Sequence, residues 1–370
     1  MSNGLLYFFV GTTAELIKLV PVIAQARARN LPFRIIASGQ NDIASSELWA
    51  LAGVPGPDET LHTGSIHQSA AGLASWLART AITGLAQLRR TFRRDGASRV
   101  AVIVHGDTVS TLLGATLAKA LGAQVFHVEA GLRSFNYVQP FPEEICRVLV
   151  GRMANVAFCP NQWAADHLTS HRGLRTIVTG ENTLLDSLKL ALATRPPEET
   201  FDFLPENFFL LVLHRQENLF SKALVTHVID AAERVAQGIR CVFVLHKLTE
   251  VALRRFGLLE RVRQSDRFVL VPRLSYVTFT QTLARARFVI TDGGSNQEES
   301  YYLGKPCLLL RKTTERIEGL NENVVLSPDP ASAIASFAAR HEEHARPVVS
   351  LEKSPSEIIV DTLEEWLRHG

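Results

Sequence analysis

Residues 104–147, VHGDTVSTLLGATLAKALGAQVFHVEAGLRSFNYVQPFPEEICR, decide the fold of this chain. Short apolar runs at 100–105 and 124–128 flank a segment with the composition of a helix. This order predicts a strand, a helix and a second strand of one parallel sheet. In such sheets, ligands collect at the carboxyl ends of the strands. We therefore expect the chemistry of this protein to lie just after these two runs.

Three carboxylates lie at or near these predicted strand ends: Asp107, Glu129 and Glu143. Carboxylates that lie close together shift one another's pKa, one of them upward, which lets an acid and a base coexist near neutral pH. We interpret the three as candidates for acid/base catalysis. The alternative is that each serves a helix N-terminus or an ion pair. Arg147, four residues after Glu143, could pair with it on one helix face.

Length and composition indicate a globular protein of two domains. The chain has 370 residues, of which 46% are hydrophobic and 21% charged, and this length exceeds that of one ordinary core. A formal net charge of +2 does not favour a nucleic-acid-binding protein, whose basic residues normally give a larger excess. The basic run Arg89–Arg94 is local, and we interpret it as a solvated helix end.

Neither export nor membrane insertion is indicated. The sequence shows no signal peptide and no apolar run of the roughly 20 residues that span a bilayer. The cysteines contain no C-x-x-C pair, which favours free thiols in a reducing compartment: Cys146, Cys159, Cys241 and Cys307. We therefore expect a cytoplasmic protein. No Cys/His spacing matches a zinc site, so we expect no metal, and we expect no cofactor.

Strand-like and helix-like segments alternate along the chain, which predicts parallel sheets of an α/β fold. The rhythm restarts at Phe208, so we expect two Rossmann-like domains, residues 1–185 and 186–355. Predicted helices include Ala14–Arg29, kinked or restarted at Pro21, and Ile43–Ala52. A further helix is predicted over 356–368.

Glycine-containing turns after two predicted strands could hold phosphate groups. Gly11-Thr12-Thr13 opens a helix that carries Lys18, and Gly293-Gly294-Ser295 opens another. Backbone amides and the positive end of the helix dipole bind anions at such places. A glycine that serves only the geometry of the turn is the alternative for both.

Three further side chains are candidates at the strand ends of the second half. Glu299, one turn into the helix, could accept both hydroxyls of a ribose, or it could be an ordinary exposed glutamate. His214 and His246 each follow a strand and could contact phosphate or transfer protons near neutral pH. A hydrogen-bonded structural histidine is the alternative for each.

Blocks along nearly the whole chain resemble the UDP-N-acetylglucosamine 2-epimerase family. In the first half they are Gly11-Thr12 with Glu15 and Lys18, His105-Gly106-Asp107-Thr108, His127-Val128-Glu129-Ala130-Gly131-Leu132-Arg133 and Pro140-Phe141-Pro142-Glu143-Glu144 with Arg147. In the second half they are His214-Arg215 with Glu217-Asn218, Gln297-Glu298-Glu299, Leu303-Gly304-Lys305-Pro306 and Thr313-Thr314-Glu315-Arg316. The HVEAGLR and PFPEE blocks are the most specific.

The resemblance implies a glycosyltransferase-B-type architecture: two Rossmann-like domains face a cleft, and the C-terminal helix, 356–370, crosses back to the first. It also implies a mechanism, in which elimination removes the C2 proton and UDP to leave a 2-acetamidoglucal, and re-addition gives the epimer. The implied catalytic residues are Asp107, Glu129, Glu143 and His214. The residues assigned to UDP or substrate are Lys18, Arg147, His246, Leu274, Phe279, Gly293, Gly294, Ser295, Glu299 and Arg316.

The chain departs from the family pattern at three places. Thr13 stands where the family has an arginine, residues 40–44 differ from the block that helps bind an activating UDP-N-acetylglucosamine, and Asn296 replaces an isoleucine. We expect a UDP-sugar epimerase and a homodimer that binds neither nucleic acid nor membrane. A hydrolysing 2-epimerase that releases N-acetylmannosamine, a UDP-sugar-binding protein without turnover, and a glycosyltransferase are the alternatives.

Overall fold

The computed structural model describes residues 4–63, 70–137, 141–314, 316–327 and 329–369. Its contacts divide the chain into two units, Met1–Leu190 with Leu351–Gly370, and Ala191–Ser350. The first boundary follows residue 190, within the helix Leu184–Ala193, whereas the sequence predicted it after residue 185. Each unit has its own parallel sheet.

The sheet of the first unit has seven strands within the described residues. They are β1 (Gly4–Val10), β2 (Phe33–Ala37), β3 (Glu59–Thr60), β4 (Arg99–His105), β5 (Gln124–Val128), β6 (Val156–Cys159) and β7 (Arg175–Val178). The spatial order is β3-β2-β1-β4-β5-β6-β7, and all pairs are parallel. The central strands are buried on both faces, which explains their nearly continuous apolar sequences.

The helices of this unit are α1 (Thr13–Ala28), α2 (Leu48–Ala52), α3 (Ala70–Asp95), α4 (Val109–Ala120), α5 (Glu143–Met153), α6 (Gln162–Asp166), α7 (Leu184–Ala193) and α15 (Pro355–Arg368). Helix α1 runs unbroken through Pro21, so it does not restart there. The predicted start of the next helix at Ile43 was wrong, because α2 begins only at Leu48. The residues before α2 form turns, and the indole N–H of Trp49 donates a hydrogen bond to the Ile43 carbonyl oxygen at 2.6 Å.

The C-terminal helix packs in the first unit, as the family resemblance implied. Its N-cap Ser354 forms a capping box with Glu357. Near its other end, the indole N–H of Trp366 donates to Gln124 Oε1 at 2.9 Å. Arg29, the C-cap residue of α1, forms ion pairs with Asp361 and Glu364. Helix α15 is thus anchored to α1 and to the start of β5.

The described part of the second unit repeats the plan with six parallel strands. They are β8 (Phe208–Val212), β9 (Arg240–Leu245), β10 (Phe268–Pro272), β11 (Val289–Thr291), β12 (Cys307–Leu309) and β13 (Val324–Leu326), in the order β10-β9-β8-β11-β12-β13. The helices are α8 (Gln216–Leu219), α9 (Lys222–Val235), α10 (Lys247–Phe256), α11 (Leu259–Gln264), α12 (Tyr276–Arg285), α13 (Gly294–Tyr302) and α14 (Pro330–Ala339). Short 3₁₀ turns occur at Glu198–Phe201 and His341–His344.

Strand order reverses once in each sheet, between β1 and β4 and between β8 and β11. The loops that leave such a pair of strands point in opposite directions and open a crevice at the carboxyl ends, where α/β proteins bind ligands. All four cysteines are buried and free, as expected. No helix in the described part of the chain is long and apolar enough to cross a membrane.

Candidate active site

Glu129 lies directly after β5 and contacts two basic side chains. Its Oε2 is 2.5 Å from Lys18 Nζ on α1 and 3.0 Å from His105 Nε2 at the end of β4. The Glu129 side chain is only 7% exposed, so these partners, rather than water, surround much of the carboxylate. Its backbone adopts φ = 60°, a left-handed conformation that costs a non-glycine residue about 1–3 kcal/mol. The turn therefore holds Glu129 in a fixed, charged environment.

Asp107, in the turn between β4 and α4, pairs with Arg147 on α5. Arg147 Nη2 lies 2.6 Å and Nε 2.8 Å from Asp107 Oδ2. The same guanidinium reaches Glu144 Oε2 at 3.3 Å. The pairing expected between Arg147 and Glu143 is thus replaced by contacts with Asp107 and with Glu144. Glu143 itself begins α5, where a negative charge suits the helix dipole.

Glu144 organises the loop that follows the HVEAGLR block. Its carboxylate is fully buried and accepts hydrogen bonds from Arg133 Nε at 2.6 Å, Ser134 N at 2.9 Å and Ser134 Oγ at 3.1 Å. Burial alone would raise its pKa, but the bonds from Ser134 and Arg133 lower the pKa below its usual range. Glu144 is therefore a structural anion that positions Arg147, and through it Asp107.

Glu15 is a buried carboxyl group that the sequence reasoning did not select as a site residue. Its Oε2 accepts the Gly11 N–H at 2.6 Å, and its Oε1 accepts the Thr108 hydroxyl. The loops after β1 and β4 are thereby tied together at the crevice, beside Asp107. Burial raises the pKa of Glu15. The capping pattern at Thr12, whose hydroxyl accepts Glu15 N–H, was the available signal for it.

His127 belongs to the conspicuous HVEAGLR block but faces the interior. It is 1% exposed, and its Nε2 lies 2.7 Å from the Gly106 carbonyl oxygen. Burial lowers its pKa to about 4, so the ring is neutral at pH 7 and its Nε2 donates to that carbonyl. The contact fixes the turn that presents Asp107.

In the second unit, Asp292 connects the two strands of the reversal point. It is fully buried and accepts the backbone N–H groups of His214 at 3.0 Å and Arg215 at 3.1 Å. Asn218 Nδ2 donates to it at 3.1 Å. Because Asp292 follows β11 and His214 follows β8, these hydrogen bonds fix the positions of the two loops relative to each other. Asp292 was not among the predicted site residues.

His214 and His246 form a pair at these strand ends. Their ring centroids are 5.0 Å apart. Burial lowers the pKa of both rings, and the nearby His214 further lowers the pKa of His246, to about 4. Asp292 Oδ1, 3.6 Å from His214 Nδ1, opposes the shift at His214. Two neutral imidazoles near pH 7 suit donation of hydrogen bonds to an anion.

The N-terminus of α13 lies beside these histidines. Gly293 is its N-cap and Gly294 and Ser295 begin it. The Gly293 N–H donates to the Thr291 hydroxyl at 3.0 Å, and within the described residues no side chain is recorded as capping the first turn. A Cβ added at Gly293 would lie 2.6 Å from His214 Cε1, so the glycine allows the ring to approach. Unused amides at a helix start, together with the positive end of the dipole, bind phosphate.

Two arginines flank Gly294. A Cβ at that position would be 3.3 Å from Arg316 Nε and 3.6 Å from Arg311 Nη1. Arg316 also pairs with the fully buried Glu298 at 2.5 Å, which fixes its direction. Arg311 was not predicted from the sequence; its position two residues after the end of β12 was the signal that could have found it.

Glu299 is nearly buried on α13 and receives a hydrogen bond from Asn296 Nδ2 at 2.9 Å. Asn296 Oδ1 in turn accepts the Thr291 hydroxyl at 3.0 Å. The ring of Phe279 belongs to α12, and Leu274 to the loop before it; both are half-buried. Pro140 and Glu315, which belong to the family-like blocks, lie outside the described residues.

Comparison with known proteins agrees with this geometry. The family model described as UDP-N-acetylglucosamine 2-epimerase matches residues 24–355. The chain belongs to the UDP-N-acetylglucosamine 2-epimerase family. It is 31% identical over 320 residues to the UDP-N-acetylglucosamine 2-epimerase of Bacillus subtilis, covering 84% of this chain and 79% of that relative. It is also 31% identical to the UDP-2,3-diacetamido-2,3-dideoxy-D-glucuronate 2-epimerase of Pseudomonas aeruginosa, covering 84% of each.

Solved structures support the same fold. A UDP-GlcNAc 2-epimerase from Neisseria meningitidis, bound to UDP-GlcNAc, matches with a TM-score of 0.80 and 25% identity over 98% of this chain and 100% of that chain. A Streptomyces glycosyltransferase matches with a TM-score of 0.51 at 14% identity, over 98% and 99% of the chains, and this likeness shows the fold alone. The predicted glycosyltransferase-B-type α/β class is confirmed.

Proposed function

We propose that this epimerase-family chain inverts C2 of UDP-N-acetylglucosamine to give the manno epimer. The observation that carries the proposal is that the two units present different groups at their strand ends. Fixed carboxylates, Asp107 and Glu129, lie at the strand ends of the first unit, and an uncapped helix start with Arg316 lies at those of the second. Family membership and the Bacillus subtilis relative support the same substrate.

The reaction is an elimination followed by an addition. The C2 proton leaves to a base, the C1–O bond breaks, and its electron pair departs with UDP as the C1=C2 bond of 2-acetamidoglucal forms. A proton then adds to C2 from the other face while a UDP oxygen re-forms the bond to C1. We assign the proton transfers to Asp107, Glu129 and Glu143, which are the available groups with suitable chemistry.

The second unit binds the leaving group. We assign the diphosphate to Gly293, Gly294 and Ser295, with Arg316 balancing its charge. Neutral His214 and His246 donate hydrogen bonds to phosphate oxygens, which stabilises UDP as it departs. Glu299, oriented by Asn296, accepts the ribose hydroxyls.

Remaining substrate contacts come from four residues. We assign uracil binding to Leu274 and Phe279 on the α12 segment. In the first unit, we assign substrate binding to Lys18 and Arg147, which also hold Glu129 and Asp107 in place through ion pairs. This double role suits their positions: Lys18 is on α1 and Arg147 is on α5, and both helices begin at the crevice.

Incubation with UDP-N-acetylglucosamine in deuterated water tests the proposal. UDP-N-acetylmannosamine that carries deuterium at C2 is the expected product. Free N-acetylmannosamine with UDP would instead identify a hydrolysing epimerase. If UDP binds but neither product forms and C2–H does not exchange, the proposal is wrong for this substrate.

A second candidate substrate, UDP-2,3-diacetamido-2,3-dideoxy-D-glucuronate, is supported by one of the relatives. The Pseudomonas aeruginosa relative, named for a diacetamido glucuronate substrate, is as similar as the Bacillus subtilis one. The same deuterium experiment with UDP-2,3-diacetamido-2,3-dideoxy-D-glucuronate decides between them. The preferred substrate is the one with the higher kcat/KM.

We also propose that the protein is a cytoplasmic homodimer that supplies precursors of surface polysaccharides. Four free, buried thiols suit a reducing compartment. Light scattering of the purified protein measures the oligomeric state, and a mass of one chain at micromolar concentration would contradict the dimer.

A further inference from the structure

A cavity of about 720 Å³ lies at the amino-terminal edge of the first sheet, the edge opposite to Asp107 and Glu129. It is lined by the end of α3, the turn before β4, the turn before β5 and Trp366 of α15. Its volume is within the range of small-ligand pockets, roughly 300–1,000 Å³. Nothing in the proposed epimerase reaction uses it.

Among the described residues, three arginines and no carboxylate line the cavity: Arg89, Arg93 and Arg99. Arg89 and Arg93 are four residues apart on α3 and therefore lie on one helix face. The described residues provide no ion pair for either of them. The positive charge of this face is thus available to a ligand.

The acidic groups near the end of α3 are engaged elsewhere. Asp95 accepts hydrogen bonds from Tyr7 at 2.7 Å and from Arg34 at 3.2 Å. Arg94 pairs with Asp95 and with Glu59. These ion pairs neutralise the charge of Arg94, whereas the face of α3 that carries Arg89 and Arg93 and lines the cavity stays positive.

Arg99 is held in place before any ligand arrives. Its guanidinium lies 4.2 Å from the centroid of the Trp366 ring, and its Nη1 donates to the Trp366 carbonyl oxygen at 3.1 Å. Trp366 is itself fixed by its bond to Gln124. A stacked, pre-positioned arginine loses little conformational entropy when it binds a phosphate.

A solvated helix end accounts for Arg90, which belongs to the same basic run but does not line the cavity. It does not account for Arg99, which comes from β4, or for the wall formed by α15. Charges that converge on one cavity from separate elements indicate a binding site rather than a helix terminus alone.

We propose that this cavity binds a small anion with a chain of two or more phosphates, such as a nucleoside triphosphate. Guanidinium groups bind phosphate oxygens through paired, charge-assisted hydrogen bonds. A nucleic acid would need an extended basic surface, whereas this one is bounded by the neutralised pairs around Asp95 and Glu59. The site is independent of the proposed epimerase function.

Calorimetric titration of the full chain with inorganic tripolyphosphate tests the site. Arg89→Ala and Arg93→Ala are each expected to weaken binding about ten-fold, since each removes a charge-assisted contact. Arg90→Ala removes the same charge from the same helix and is expected to change the affinity less than two-fold. Because tripolyphosphate could also occupy the proposed diphosphate turn of the other unit, the titrations are repeated in the Gly293→Ala background, where the binding that Arg89→Ala and Arg93→Ala remove should persist.

Parallel titrations with ATP and adenosine identify the source of the phosphates. Tighter binding of ATP than of tripolyphosphate assigns a nucleotide, and equal binding assigns the phosphate chain alone. The proposal is overturned by the absence of binding at millimolar tripolyphosphate, by equal losses in the Arg90 and Arg93 variants, or by adenosine binding as tightly as ATP. These arginines are exposed, so their substitution should leave the fold intact. An unchanged thermal unfolding temperature of each variant would show that lost binding does not come from misfolding.

Discussion

At the strand ends of the first unit, Glu129 and Asp107 each contact a cation, Lys18 and Arg147, within 2.6 Å. At the strand ends of the second unit, the start of α13 presents amides without a side-chain cap, next to two neutral histidines. The first arrangement satisfies its charges internally and keeps acid and base groups in place. The second leaves donors for a ligand that brings its own negative charge. The same fold thus supports the proposed division of roles, with proton transfer assigned to one unit and anion binding to the other.

The largest expected effect comes from removing one acid of the first unit. Asp107→Asn or Glu129→Gln should lower kcat about 10²- to 10⁴-fold, the range expected for general acid–base catalysis. UDP affinity, measured by calorimetry, should change less than three-fold, because the diphosphate is assigned to the other unit. Glu365→Gln, which removes an exposed carboxylate of α15, is the control and should keep full activity. Loss of UDP binding in both site variants would contradict the assignment of proton transfer and UDP binding to different units.

The reverse separation is expected from the turn of the second unit. Gly293→Ala places a Cβ 2.6 Å from His214 Cε1, so the ring or the turn must move. Misplacement by about 1 Å can cost a hundred-fold, and we expect UDP affinity to fall about ten- to a hundred-fold. Gly238→Ala is the matched control, since a Cβ there meets no atom within 4 Å. Unchanged UDP affinity in Gly293→Ala would remove this turn from the binding site.

Much of the fold followed from the sequence because buried parallel strands are continuous apolar runs, which periodicity identifies well. Helix α2 was predicted too long because Ile43 is buried although it lies outside the helix, where its carbonyl oxygen accepts the indole N–H of Trp49. Pro21 did not interrupt α1, since tertiary packing outweighs local propensity. Element ends are therefore less predictable than elements.

The candidate site was predictable only in part. Asp107 and Glu129 stood out because each follows a strand. Asp292 also follows a strand but was not selected, and Glu15 lies inside α1; the importance of both depends on hydrogen bonds between loops that are far apart in sequence. Glu144 looked equivalent to Glu143 in the sequence, and only the contacts of Arg133 and Arg147 distinguish the two.

Stability should depend on pH through the buried histidine of the first unit. The folded pKa of His127, about 4, lies below the unfolded value of 6.5. The unfolded chain therefore binds more protons between these values, and the free energy of unfolding falls as the pH drops from about 6.5 to about 4. The loss is on the order of 3 kcal/mol.

Denaturant unfolding of His127→Gln at pH 7 and pH 4.5 measures this contribution. The variant should be less stable than the parent at pH 7 but lose less stability on acidification. His246→Gln is the comparison from the second unit; its ring is half-buried, so its effect on the pH dependence should be smaller. Identical pH dependence of the parent and His127→Gln would contradict the role of burial at His127.

The smallest effect is expected at Asn296, where the chain departs from its family. Its side chain joins Thr291 to Glu299, and Asn296→Ala should leave the Glu299 carboxylate without the 2.9 Å bond that orients it. A lost orienting bond of about 1 kcal/mol corresponds to roughly five-fold weaker UDP binding, with kcat nearly unchanged. Asn207→Ala, at the opposite end of the same sheet, is the control. Comparison of uridine and deoxyuridine diphosphates sharpens the test: the preference for the ribose 2′-hydroxyl should shrink in Asn296→Ala, and a preference as large as that of the parent would exclude Asn296 from positioning Glu299.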